Sequence, residues 1–474
     1  MKLIPSTVRT RLIFSVAVLF AGLASAQTER SSSLDTAQRK QIDNIAQQSL
    51  ADTGVPSVSL AIVLDGKIAY TQAYGKARLD PVLVARLEMR YSVGSISKQF
   101  TAAAILLLAE EGKLSLDDPV SRFVPDLTRA NEVTIRQLLS HTSGYQDYWP
   151  QDYVPPFMLQ ATTAQQILDL WAHKPLDFEP GTRWQYSNTN FVIAGLIVEK
   201  ASGMPLIQFL QEKIFTPLGM SSITNVDQER LTESDPTGYR RFALGPPRVA
   251  PKEGKGWLFA AGELAMTAED LARWDISLMN ESVLKPASYR ELETEIRLKN
   301  GLGTHYGLGL DVESSAGHRL LAHGGEVSGF TAENNVFPDD HAAIVVLSNQ
   351  DAAQAASRIV KQIAPLLVTG EKPASAEKLQ RDRKILEGLQ QETLDRSLFT
   401  ENANSYFTDQ AIQDFADGLQ PLGKLASFLQ TRQTDRGGMT LHVYVAKFPK
   451  QIVTLLVREM PNGKIEQYQV MAGE

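Results

Sequence analysis

Apolar and polar positions change their period repeatedly along this chain. Val58-Ser59-Leu60-Ala61-Ile62-Val63-Leu64 and Lys67-Ile68-Ala69-Tyr70 are β-rich runs joined by Asp65-Gly66. A two-residue Asp-Gly link between such runs predicts a β-hairpin. Residues 99–109 form an apolar run too long for a strand, and predict a buried helix stopped near Gly112. From Asp117 to Gly219 the pattern is mostly helical, broken by loops rich in Gly, Pro, Asp and Tyr. Within it, 134–144 predicts a short helix turning at Ser143-Gly144, and Phe191 to Ala201 an apolar helix ended near Gly203. Strand signals return at 318–323 and 342–349, followed by an apolar-faced helix over 353–367. Strands at both ends with helices between predict one α/β (α+β) core sheet carrying a helical insertion.

A smaller unit follows. Thr369-Gly370-Glu371-Lys372-Pro373-Ala374-Ser375 reads as linker, and the boundary is placed at 369–380, with an α+β accessory domain over 381–474. Helical patterns at about 376–391 and 408–418 precede β-rich runs near 426–434, 439–447 and 451–459. Pro461-Asn462-Gly463 then turns into a last strand. Charges in this unit read as scattered, with His442 alone.

The N-terminus has a different character. Lys2, Arg9 and Arg11 precede an apolar stretch, Leu12 to Leu23, and Ala24-Ser25-Ala26 has the small-x-small pattern of a cleavage site. Residues 1–26 therefore predict a signal peptide, which leaves 27–368 as the main domain and predicts a periplasmic or secreted protein. No other stretch is apolar for the length a membrane span needs. The chain has no cysteine, so a stable core without disulfides is expected. The whole chain has 47 Lys+Arg against 54 Asp+Glu, net −7, and losing Lys2, Arg9 and Arg11 makes it −10. No basic block remains, which argues against nucleic acid as a partner. A small-molecule or peptide substrate is expected, with no cofactor and no metal.

Three segments can carry chemistry. Ser95-Ile96-Ser97-Lys98 opens the apolar helix, so Ser95 lies where unpaired N–H groups favour a developing anion. A serine hydroxyl needs a base, and a lysine three residues on can be one if burial lowers its pKa. The same spacing recurs at Ser375 and Lys378, among charged residues with no helix to bury it. Tyr186-Ser187-Asn188 follows a turn and precedes the Phe191 helix; Tyr186 is expected as a second proton carrier with a lowered pKa, and Asn188 as a hydrogen-bond partner for a substrate carbonyl. His323-Gly324-Gly325 is expected to end a short strand. Its glycines admit a substrate backbone and free the N–H of Glu326 for an oxyanion, and His323 is expected to bind a carboxylate or pass a proton.

In order and approximate spacing these motifs resemble the serine hydrolases related to class C β-lactamases and D-alanyl-D-alanine carboxypeptidases. Tyr91-Ser92-Val93-Gly94, Leu138-Leu139-Ser140-His141-Thr142-Ser143-Gly144 and Tyr306-Gly307-Leu308-Gly309 extend the resemblance, which covers about residues 40–367. It implies a β-lactamase/transpeptidase-like antiparallel sheet flanked by helices, with an all-helical subdomain. It also implies an acyl-enzyme at Ser95, a proton relay through Lys98 and Tyr186, and an oxyanion hole from the N–H groups of Ser95 and Glu326. Asn188, His323, Gly325 and Glu326 are then the substrate-binding set. True β-lactamases carry lysine where His323 stands, and typically alanine in the middle of the second motif. A D-peptidase or esterase is expected before a lactamase. The alternative is a catalytically silent penicillin-recognising or peptide-binding protein with the same pocket.

Overall fold

The computed structural model describes residues 34–473 except Asp152, Ala316, 369–375 and 437–438. The expected signal segment and Ser375 lie outside them. Helix α1 (Thr36–Thr53) is capped by Asp35, whose carboxylate accepts from Gln38 N. Strands β1 (Ser57–Leu64) and β2 (Lys67–Leu79) are joined by Asp65 and Gly66 at φ 48° and 68°. Positive φ at both positions is the type I′ geometry, whose twist matches that of the strands. Strand β3 (Val82–Val84) adds an edge. Helix α2 (Ser97–Glu110), the insertion with helix α3 (Asn188–Ser202), and helix α4 (Ala268–Asn280) follow. The chain then returns through β4 (Asp311–Ser315), β5 (His318–Val327), β6 (Phe330–Phe337) and β7 (Ala342–Ser348), and ends the domain with helix α5 (Ala355–Leu367).

The seven strands form one sheet in the order β3-β2-β1-β7-β6-β5-β4, and every pairing is antiparallel. Strand β1 is internal, between β2 and β7. Ala61 and Val63 pack on the side of α2 and α4, while Val58, Leu60 and Ile62 pack on the side of α1 and α5. A strand covered on both faces must be apolar at consecutive positions, which is why β1 reads as an unbroken run. Helix α2 is buried from Ser97 through Leu106 and forms the axis of the larger core.

Two readings of the strands need correction. Strand β5 does not stop at the glycines; it runs through them and turns at Ser328-Gly329 into β6. β6 itself was unexpected, because Glu333, Asn334 and Asn335 interrupt its apolar pattern. Asn334 is buried there by a hydrogen bond to Asp275 Oδ1 (2.7 Å). Beyond the helical stretch that ends near Gly219, the chain forms short strands at Thr224–Asn225, Tyr239–Arg240 and Arg248–Val249 before α4.

The C-terminal unit has helices α6 (Ala376–Leu389) and α7 (Asp409–Leu419), then strands β8 (Ser427–Arg436), β9 (Met439–Lys447), β10 (Ile452–Glu459) and β11 (Ile465–Ala472), paired in sequential order. It has its own apolar cluster, including Phe428, Tyr444, Leu455 and Tyr468. Because α6 begins at Ala376 and Lys378 pairs with Glu459 (2.5 Å), residues 376–380 belong to this unit rather than to a linker. His442 is not alone either. Its ring stacks on Tyr444, whose hydroxyl donates to fully buried Asp382, and Arg381 bridges Asp382 (2.7 Å) and Glu459 (2.8 Å). Tyr444 lies 62 residues from Asp382, and Arg381 and Glu459 are likewise far apart in sequence, so no local pattern announces the cluster. Strand β8 runs beside β4, the outer edge of the large sheet. Among the described residues no single helix is long and apolar enough to cross a membrane.

Candidate active site

Ser95 sits in a 3₁₀ turn, Gly94–Ile96, that feeds directly into α2. Lys98 lies one turn on and is fully buried. Its Nζ is 2.9 Å from Ser95 Oγ, 2.9 Å from Asn188 Oδ1 and 2.8 Å from Ala261 O. Tyr186 and Phe191 turn ring faces toward it, with centroids at 4.9 and 5.6 Å. Burial favours the neutral amine and holds Lys98 down to about 7, with the Asp147 carboxylate pulling the other way. The Tyr186 hydroxyl hydrogen-bonds with the Ser95 side chain. Burial pushes that phenol well above its ordinary value, so the expected lowering is reversed: here the lysine shifts down and the tyrosine up.

Asn188 opens α3. Its backbone N–H and Nδ2 both donate to Asp147 Oδ1, at 2.9 and 3.2 Å, while its Oδ1 accepts from Lys98. Asn188 thus ties the lysine to Asp147 while lining the cleft in front of Ser95.

The third motif reaches the serine through backbone. Gly325 packs on Val93, where a Cβ would lie 1.9 Å from Val93 O. Gly94, at φ 51°, faces Glu326, where a Cβ would lie 2.7 Å from Glu326 N. No side chain larger than hydrogen fits either place, so β5 lies flush against the nucleophile turn. The side chain of Glu326 points elsewhere and accepts from Ala352 N (2.8 Å). His323 is buried, with Nδ1 2.5 Å from Gly324 O and Nε2 2.9 Å from the Tyr306 hydroxyl. A carbonyl can only accept, so Nδ1 carries the proton and Nε2 accepts from Tyr306. Burial, aided by the nearby Lys98, lowers His323 to about 4. At neutral pH it is an uncharged ring, hydrogen-bonded at both nitrogens, and it lines the cleft in front of Ser95.

The family model described as Beta-lactamase matches residues 42–364. The chain belongs to this family of serine hydrolases. Penicillin-binding protein 4* of Bacillus subtilis is 29% identical over 341 residues, which cover 68% of this chain and 75% of that protein. A D-aminopeptidase of Brucella anthropi is 28% identical over 303 residues, 62% of this chain and 56% of its own; the chain thus matches little more than half of that relative. The solved penicillin-binding protein homologue of Pyrococcus abyssi has the same fold, with TM-score 0.62 at 24% identity over 92% of this chain and 96% of its own. That extent reaches into the C-terminal unit.

Within the family fold, the cleft in front of Ser95 has a volume of about 1030 Å³. Three residues around it escaped the reading of the sequence. Asp147, six residues past His141, anchors Asn188. Tyr306 holds His323. His141 lies at φ 58° and is fully buried; its ring packs on Tyr186 at 4.3 Å and on Tyr306 at 5.0 Å. Ser187 N donates to His141 Nδ1 (3.1 Å), and its Nε2 has no hydrogen-bond partner among the described residues. Tyr306 and His141 stand in runs that marked the resemblance. Their contacts, from Tyr306 to His323 and from His141 to Tyr186 and Tyr306, form only in the fold, so their roles were not legible there.

Proposed function

We propose that this chain is an exported serine hydrolase that cleaves amide or ester bonds through an acyl-enzyme at Ser95, of D-peptidase or esterase type rather than a β-lactamase. The observation that carries this reading is the set of contacts around Lys98. A neutral amine has two N–H groups and one lone pair. Two carbonyl oxygens, Asn188 Oδ1 and Ala261 O, accept the two N–H groups, and the lone pair is left for the Ser95 O–H. Burial supplies the neutral state that this count requires.

The steps follow. Ser95 gives its proton to Lys98 Nζ as Oγ bonds to the carbonyl carbon, and the C=O electron pair moves onto oxygen. Backbone N–H groups of Ser95 and Glu326 receive that oxyanion. Collapse reforms C=O and breaks the bond to the leaving nitrogen or oxygen, which takes the Lys98 proton by way of the Tyr186 hydroxyl. With its pKa raised, Tyr186 stays protonated and serves as a donor, not a base. Water then attacks the ester, Lys98 takes its proton, and Ser95 is freed.

Neutral His323 supports the choice of substrate class. It offers no fixed cation to the carboxylate of a penicillin or cephalosporin. The D-aminopeptidase relative points the same way. Export rests on the signal-like pattern of residues 1–26.

The test is a fluorophosphonate probe together with a p-nitrophenyl ester. Ser95→Ala is expected to lose labelling and to lower turnover by about a thousandfold or more. Labelling that persists in Ser95→Ala overturns the assignment. Cephalosporin turnover by the native chain is expected below about 10⁴ M⁻¹s⁻¹ in kcat/KM, the low end of ordinary enzymes.

A further inference from the structure

Tyr186 stands in irregular backbone between the turn at Gly181 and the start of α3. A proton donor on a loop works only if the loop is held, because a misplacement of 1 Å costs about a hundredfold. One residue does the holding here. His141 O accepts from Gln185 N at 3.0 Å, and His141 Nδ1 accepts from Ser187 N at 3.1 Å. The N–H groups on either side of Tyr186 are therefore fixed by the same residue. The His141 ring also packs on the Tyr186 ring, with centroids 4.3 Å apart.

His141 holds this place at a cost. A ring nitrogen that accepts an N–H carries no proton, so the neutral ring carries its proton on Nε2. Asn190 Nδ2 is also turned toward Nδ1 (3.4 Å), while Ser143 Oγ donates to the oxygen of the same amide (2.5 Å). Nε2 is buried and has no acceptor among the described residues. The backbone of His141 has φ 58°, an uncommon value for a residue with a Cβ. Packing alone explains neither feature. The ring lies among Tyr186, Phe191 and Tyr306, where a leucine would bury apolar surface and leave no orphan N–H. What leucine lacks is an acceptor for Ser187 N–H.

We infer that His141 positions the Tyr186 hydroxyl for proton transfer to the leaving group, by holding the Gln185 and Ser187 N–H groups on either side of it. This rests on the hydrolase reading above and adds the residue on which that step depends.

The test compares phenyl acetate with p-nitrophenyl acetate on the full chain. Both give the same acetyl-enzyme and differ only in the leaving group. Phenol, with a pKa of about 10 like the tyrosine side chain, leaves best with a proton, whereas the more acidic p-nitrophenol leaves as its anion. General damage to the site lowers both substrates together and leaves the ratio of their kcat/KM values alone. In His141→Leu the phenyl to p-nitrophenyl ratio is expected to fall by about tenfold or more, the scale of a misplaced general acid. Tyr186→Phe is expected to lower the same ratio, and the double variant to lower it no further than the larger single effect, because both changes disable one donor. His141→Asn keeps an acceptor and tolerates positive φ, and is expected to restore most of the ratio. A ratio unchanged in His141→Leu, or losses that multiply in the double variant, overturns the proposal. If His141→Leu fails to fold, shown by lost labelling at Ser95, His141→Asn decides: a near-native ratio supports the proposal, since only the acceptor is kept, and a fallen ratio overturns it. Native turnover of p-nitrophenyl acetate alone, or a ratio untouched by Tyr186→Phe, means that no proton passes from Tyr186; it removes this proposal while Ser95-dependent hydrolysis stands. No turnover and no labelling at all removes the hydrolase reading itself.

Discussion

A lysine ammonium has no lone pair to offer a serine, so the pH at which Lys98 loses its third proton governs when the site can work. Burial places that point near 7. Activity on a neutral ester is therefore expected to rise with pH through a limb near 7 and then level off. The Asp147 carboxylate favours the ammonium, so removing its charge must lower the pKa of Lys98 further. Asp147→Asn keeps an oxygen for Asn188 and is expected to move the limb to lower pH. Asp311 also titrates near 7, but its shift comes from burial, Glu313 and Glu333, so Asp147→Asn separates the two. His323, down at about 4, does not contribute to this limb. Measuring kcat/KM against pH in both forms checks this; a limb that stays put or moves up would take Lys98 out of the role of base. Ser95, Lys98 and Tyr186 were legible because each sits in a short motif of distinctive composition. Asp147 and Tyr306 were not, since a carboxylate or phenol that positions another residue has no local spacing to mark it.

Between elements, the decisive contact is that of β5 with the turn before α2. The two glycines of the third motif look alike in sequence, but strand register separates them. Gly325 faces Val93, where a Cβ meets backbone oxygen at 1.9 Å. Gly324 faces the other side, where the nearest atom is the flexible end of Glu333 at 4.0 Å. Gly325→Ala is expected to push β5 off the nucleophile turn and slow labelling of Ser95 by about a hundredfold, the scale of a 1 Å misplacement. Gly324→Ala is expected to label within about threefold of native, as suits a substitution that meets no backbone. Time courses with the same fluorophosphonate compare them, and equal effects would contradict this register. The β1–β2 hairpin, α2 and the C-terminal meander were readable because their apolar periods are unbroken. Strands β4 and β6 were hidden by polar residues that only pairing and buried partners such as Asp275 can accommodate.

At the scale of the whole molecule, two apolar clusters share the large sheet, one on each face, and a third belongs wholly to the C-terminal unit. A chain cut after Val368 keeps the first two intact. It is expected to fold, to label at Ser95 and to hydrolyse small esters within about threefold of the full chain. The cut bares β4, yet that strand is five residues long and carries Asp311 and Glu313, which discourage edge-to-edge association. Size exclusion and an ester assay on the shortened chain check this; an insoluble or inactive product would mean that β8, beside β4, completes the catalytic domain.

The Val93–Gly325 contact has a further consequence. Peptide groups have the same dimensions whatever residues surround them, so this contact acts as a ruler between nucleophile and strand. Cleft walls such as Ala353, Ala356 and Arg240 lie outside it. Mutation can exchange those walls without resetting the ruler. Descendants of this chain can therefore change what they accept while inheriting the same bond-breaking geometry.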